Sequence, residues 1–154
     1  MSFQRKQFKF TLPIREIQES DADQEFTNEL QPKNDVDLAY LVENNHGRRH
    51  VIVHDIDGKV MAFLTFIDRD DHFHLDLVET NRIHPESAQL NPGIALILTL
   101  EGMSRTFGFN RITLHSTPER IPLYQDRLGY VITGEAVYNS DYDMMLTPMT
   151  KSFT

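Results

Sequence analysis

Residues 92–108, "PGIALILTLEGMSRTFG", decide how the rest of the chain folds. Ile94 and Leu98, with Ile97, Leu100, Met103 and Phe107, recur at the spacing of a helix. Asn91 suits the N-cap and Pro92 the first turn, because Asn accepts from an orphan amide and Pro has no amide to orphan. Gly108 stands where a C-cap glycine belongs. On one side lies "FHLDLVETNRI" (73–83) and on the other "NRITLHS" (110–116), both strand-like. A helix between two strands is a crossover, which predicts that those strands pair in parallel. The cap accounts for Asn91 and Pro92 but not for Gly93 or Ala95. Those small residues in the first turn leave room for a ligand to approach the backbone.

Working outward, the flanks complete one continuous α/β pattern. "FKFTLPIREI" (8–17) reads as a first strand. "DADQEFTNELQ" (21–31) and "DVDLAYLVEN" (35–44) read as two short helices, each opened by Asp residues that suit a helix N-terminus. "HVIVHDI" (50–56) and "VMAFLTFI" (60–67) are strands, and Asp57-Gly58 between them is a hairpin signal. Past the crossover, "PERIPLYQDRLG" (118–129) reads as a short helix ended by Gly129. "YVITGEAVY" (130–138) and "DYDMMLTPM" (141–149) read as two closing strands. The expected fold is mixed α/β: a central twisted mixed sheet of about six to seven strands, flanked by helices on both faces. At 154 residues, with no repeat or linker, the expectation is one domain spanning 1–154.

Composition narrows the function classes. With no Cys there is no disulfide, thiolate metal site or Cys nucleophile. A formal net charge of −8 argues against a nucleic-acid backbone as partner. The start, "MSFQRKQFKF", is basic but has no apolar run, and no segment reaches bilayer-spanning length, so no membrane role and a cytoplasmic location are expected. "DRDDHFHLD" (68–76) holds two alternating His, His72 and His74, but no third ligand at a defined spacing, so it reads as a charged turn and no metal site is expected. "HSTPER" lacks the G-x-S-x-G elbow of a hydrolase.

The block from 77 to 134 resembles the core of the GCN5-related N-acetyltransferase (GNAT) superfamily. The resemblance rests on "IHP" (83–85), "GIA" (93–95), "ITLHS" (112–116) and "LYQDRLGY" (123–130), in that order. The preceding strands and the closing "DYDMMLTPM" fit as well, so most of the chain is covered, most weakly over the first 45 residues or so.

The resemblance implies acetyl-CoA as co-substrate and acetyl transfer to a primary amine of a small molecule or peptide. It assigns the pyrophosphate to main-chain amides at the helix N-terminus, around Gly93, Ile94 and Ala95, with Gln89 ahead of them. It assigns the pantetheine arm to the strand ending at Asn81 and Ile83. Tyr124 matches the family tyrosine that protonates the departing thiolate. A base is open between Glu79, on the strand beside the thioester, and His115, on the strand 112–116, and no dedicated base is needed if the amine enters as its minor neutral fraction. The acceptor is not named by the residues: "HGRRH" (46–50) suits an acidic one and "SDYD" (140–143) a basic one. A second reading keeps the fold as an acyl-CoA-binding or protein-interaction module without catalysis. An exposed final strand would suit a homodimer.

Overall fold

In the structure, a computed structural model, residues 3–27 and 36–153 are described. An eight-stranded sheet runs through the molecule: β1 (Ile14–Glu16), β2 (Arg49–Ile56), β3 (Lys59–Asp68), β4 (Phe73–Thr80), β5 (Arg111–Ser116), β6 (Val131–Ile132), β7 (Val137–Asn139) and β8 (Met144–Ser152). The spatial order is β1-β2-β3-β4-β5-β8-β6, with β7 also on β8. Every pairing is antiparallel except β4 with β5, the pair joined by the crossover. The mixed α/β fold expected from the sequence is therefore present, with one or two strands more.

Helices cover both faces. α1 (Leu38–Glu43) is capped by Asp37, whose side chain accepts from the Ala39 amide at 3.0 Å. It packs Leu38 and Leu41 with Phe26 onto Val51, Val53 and Phe63. After the single turn α2 (Ser87–Leu90), the crossover helix α3 (Pro92–Thr106) lays Leu96, Ile97 and Leu100 on the opposite face, against Leu64, Phe66, Phe73 and Ile112. Its C-terminal end is as expected, with Gly108 at φ +76° and its amide bonded to the Arg105 carbonyl. The Asp57-Gly58 hairpin has φ +54° and +83° at its two central residues, the geometry that dipeptide favours.

Four local expectations are corrected. Asn91 is not a side-chain cap: it sits in the left-handed region (φ +47°, ψ +52°) because it ends α2 and opens α3 at one residue. The first strand is only Ile14–Glu16. Residues 8–11 are not strand, and Phe8 and Phe10 pack on the α3-side core. The helix at 21–31 is a 3-10 turn, Glu19–Asp23, followed by non-helical chain to Thr27; positions 28–31 lie outside the described residues. The final strand is not an exposed edge. β8 pairs with β5 on one side and with β6 and β7 on the other, because "YVITGEAVY" breaks into two short strands at Thr133-Gly134.

"PERIPLYQDRLG" is helical only in pieces. A 3-10 turn (Pro118–Arg120) passes into a π-helical turn (Leu123–Arg127), where the Leu128 amide reaches back five residues to the Leu123 carbonyl. Pro122, without an amide, prevents a regular ladder.

Candidate active site

The site arises where β4 and β5 part. Their parallel pairing holds at Phe73↔Ile112, His74↔Thr113 and Leu75↔Leu114, then ends. At that point β4 carries a bulge: Leu75 and Leu77 face Phe66 and Thr65 of β3 and leave Asp76 unmatched. The extra residue shifts the alternation. Phe73, Leu75 and then Val78 lie in the α3-side core, while Leu77 packs with the α1-side cluster. Beyond the bulge the β4 backbone edge has no β5 partner. Val78, Glu79 and Tyr124 line the resulting cleft, as do His74 and His115; its volume is 460 Å³.

A second cavity of 200 Å³ adjoins the N-terminus of α3 and is lined by Thr80, Asn91, Gly93, Ile94 and Arg127, among others. Val78 and Arg120 line both spaces. Gly93 has a packing reason of its own: a Cβ there would stand 3.3 Å from Thr80 Oγ1 and 3.6 Å from Val78 Cγ2. Helix and strand approach so closely that only glycine fits without displacing a neighbour.

Of the residues singled out from sequence, Tyr124, Glu79 and His115 meet in the larger cleft, and Gly93 and Ile94 line the smaller one. The others go elsewhere. Asn81 is fully buried and its amide ties loops together: it donates to the carbonyls of Glu25 and Val60 and accepts from the amides of Thr27 and Ile83. Ile83 is an exposed turn residue, and Gln89 is exposed on α2. Ala95 lines neither cavity; its amide bonds to the Asn91 carbonyl.

Sequence reasoning missed Arg120 and Arg127. They lie seven residues apart in "RIPLYQDR", a spacing that puts two helical side chains on one face, and that was the available signal. Arg120 donates to the Val78 carbonyl and to Glu79 Oε2, the latter at 3.2 Å, inside the parting of the strands. Also missed were His74 of β4, whose Nδ1 lies 2.7 Å from Thr113 Oγ1, and Asn139 and Tyr142 of the β7–β8 hairpin, which close the cleft from outside. Burial and the neighbouring Asp76 and Glu79 push the Tyr142 hydroxyl pKa up, so it stays protonated. Thr117 lines the cleft, and its Oγ1 is out of solvent with no hydrogen-bond partner. Among the described residues no cluster of three metal-ligating side chains occurs, and no helix is long and apolar enough to cross a membrane.

No family model and no curated protein sequence matches the chain. Solved structures do. Ard1 from Thermoplasma volcanium superposes with a TM-score of 0.69 at 16% identity, covering 92% of this chain and 97% of its own. The ribosomal-protein-S18-alanine N-acetyltransferase from Escherichia coli gives 0.66 at 18% identity, covering 90% and 92%. A GNAT family acetyltransferase from Elizabethkingia anophelis, with acetyl-CoA bound, gives 0.57 at 9% identity, covering 74% and 82%. The parted parallel strands, the crossover helix and the order of the sheet thus belong to one known architecture, and the chain has the fold of the GCN5-related N-acetyltransferases.

Proposed function

We propose that the protein is an acetyl-CoA-dependent N-acetyltransferase whose acceptor is a primary amine of a small molecule or peptide. The observation that carries this reading is the parting of β4 from β5, which leaves the β4 edge without a strand partner from β5 along a cleft that meets the cavity at the α3 N-terminus. A similar solved structure with acetyl-CoA bound supports it. The residues present fit such a molecule. Thr117 Oγ1 is a buried polar atom in the cleft wall with no partner, which a hydrogen-bonding arm would satisfy. The α3 N-terminus and the guanidinium group of Arg127 border a space suited to a diphosphate.

Bound acetyl-CoA supplies an activated acyl thioester. The chain's own residues then have three tasks. Main-chain amides on the β4 edge that β5 leaves beyond the bulge donate to the oxygen that becomes negative. Tyr124 supplies a proton to the departing sulfur. Gly93 keeps α3 close enough to β4 for its first amides to face the diphosphate. A calorimetric titration with acetyl-CoA, followed by turnover on a panel of amines, tests the reading. No binding would overturn it.

Arg120 favours a second reading, a fold that binds acyl-CoA or a partner without catalysis, because its guanidinium stands across the passage between the two cavities. Binding without turnover on any amine would select it. Under either reading the arm has to displace Arg120 from the Val78 carbonyl. Arg120→Ala combined with Glu79→Gln, which removes the charge left behind, is expected to tighten acetyl-CoA binding about tenfold, or ~1.4 kcal/mol. Equal or weaker affinity would place the arm elsewhere.

Thr117→Val tests the orphan hydroxyl. The free protein is expected to be as stable or more stable, since an unsatisfied group is replaced by a methyl of similar shape. Acetyl-CoA affinity is expected to fall about fivefold, the ~1 kcal/mol of one neutral hydrogen bond. Unchanged affinity would leave Thr117 without a role in binding.

A further inference from the structure

An amine acceptor reaches neutral solution as an ammonium ion, its pKa near that of lysine, about 10. It must lose a proton before its nitrogen can attack, and a proton acceptor at the acceptor end would let the abundant ammonium form be used directly. Glu79 is already engaged by the Arg120 guanidinium. Two imidazoles instead line the cleft where the strands begin to part.

His74 on β4 and His115 on β5 flank the last paired residues, Leu75 and Leu114, where the strands begin to part. Their ring centroids are 5.1 Å apart at an angle of 57°, and both rings line the cleft beside Asp76 and Tyr142. Thr113 Oγ1 holds His74 by Nδ1 at 2.7 Å. Nε2 of His74 and both nitrogens of His115 have no hydrogen-bond partner among the described residues. One ring is half-buried and the other exposed, so the pair spans from the interior of the cleft to water.

Resting on the acetyl-transfer reading above, we propose that His74 and His115 act as one proton-accepting pair for the acceptor amine, with His74 Nε2, opposite the Nδ1 held by Thr113, taking the proton and water beside the exposed His115 carrying it to solvent. In this step the ammonium N–H bond breaks, an N–H bond forms at Nε2, and the electron pair stays on the amine nitrogen. Of the two protons the nitrogen loses over the whole transfer, one leaves this way. The other balances the one that Tyr124 gives to the sulfur.

The electrostatics agree. Burial first, then the neighbouring His115, hold the His74 pKa down to about 4; Arg69 and His72 act in the same direction and Asp76 against it. Asp76 is itself ion-paired to Arg49 of β2, and the Tyr142 hydroxyl facing the pair from the hairpin is neutral. His74 is therefore neutral at physiological pH, and because so low a pKa makes the ring a weak base, a proton it takes has to pass straight on toward solvent. Two rings this close resist double protonation, so the pair takes up a single proton and must release it before the next turnover.

The test joins an NMR titration of the free protein to kinetics. Replacing the exposed ring, His115→Gln, is expected to raise the His74 pKa, since one of the charges holding it down is gone. His74→Gln and His115→Gln are each expected to lower kcat/KM tenfold or more, with the double variant no worse than the worse single one. The acidic limb of the pH–rate profile should move in the His115→Gln variant along with the His74 pKa. A wild type that acetylates amines while both variants keep its rate and its acidic limb would overturn the pair and leave the acetyl-transfer reading standing. A wild type with no acetyl-CoA binding and no turnover would overturn both.

Discussion

Tyr124→Phe is expected to lower acetyl-transfer turnover by ~10²-fold, the scale of one positioned proton donor. Acetyl-CoA affinity should stay within about a factor of three of wild type, as for an interaction made only in the transition state. The change isolates one atom. Tyr124 is buried, and its ring packs edge-on against Tyr130 with centroids 5.6 Å apart, so a phenyl ring occupies the same place. Tyr130 is fixed independently, its hydroxyl donating to Glu101 and Lys151 holding the other oxygen of that carboxylate. A thiolate released into a narrow cleft is costly unless a proton meets it, and that need arises late in the reaction. Single-turnover and steady-state rates measured alongside calorimetric affinity check the pattern. Wild-type turnover in the variant would make Tyr124 a packing residue, and lost affinity with unchanged turnover would make it a binding residue.

Acid is expected to destabilise the fold well above the pH at which carboxylates titrate, and His50 is the main reason. Its ring is buried, stacked on Phe66 at 4.9 Å and met edge-on by Phe8 at 5.0 Å, and Nε2 has no partner. Burial first, then Arg5, hold its pKa down from 6.5 to about 4. Between those values the unfolded chain binds a proton that the native state refuses. Stability is therefore full above pH 6.5 and falls as pH drops toward 4, by about 3 kcal/mol for this group at 1.36 kcal/mol per pH unit. His54, buried on the same strand with Nδ1 unpartnered, has its pKa lowered as well and acts in the same direction. Urea unfolding at pH 7 and pH 4.5 of wild type and His50→Phe measures the effect. The variant should lose much less stability between the two. The same loss in both would acquit His50.

Much of the fold was legible because short-range physics writes it. Six apolar residues at helical spacing and a closing Gly108 marked α3, and the two strands beside it implied a parallel pair, which is what β4 and β5 form. Asp57-Gly58 marked a hairpin because few other dipeptides accept two positive φ angles in succession. Where the reading failed, a longer-range contact had overruled the local preference. Residues 8–11 alternate like a strand, yet the molecule uses Phe8 and Phe10 to cover the α3-side core. "YVITGEAVY" has strand composition, but it breaks in two to give β8 partners along different parts of one edge.

The site divides in the same way. The order of motifs in the sequence singled out Tyr124, Glu79 and His115 for the chemistry and Gly93 for the helix N-terminus; the first three line one cleft, and Gly93 lines the smaller cavity beside it. The place of Asn81 was not legible because a strand-end Asn looks the same in sequence whether its amide faces a ligand or, as here, ties its own turn to backbone from 21 to 56 residues away. By itself the sequence determined the mixed α/β architecture, the crossover and the parallel pair it joins, because periodicity and turn chemistry act within a few residues. Only the tertiary structure decided that Arg120 reaches the Val78 carbonyl across 42 positions, that Thr117 Oγ1 has no partner, and that His74 meets His115. A guanidinium, a hydroxyl and an imidazole have no function in the sequence until folding sets what lies within about 3 Å of them, the range of a hydrogen bond.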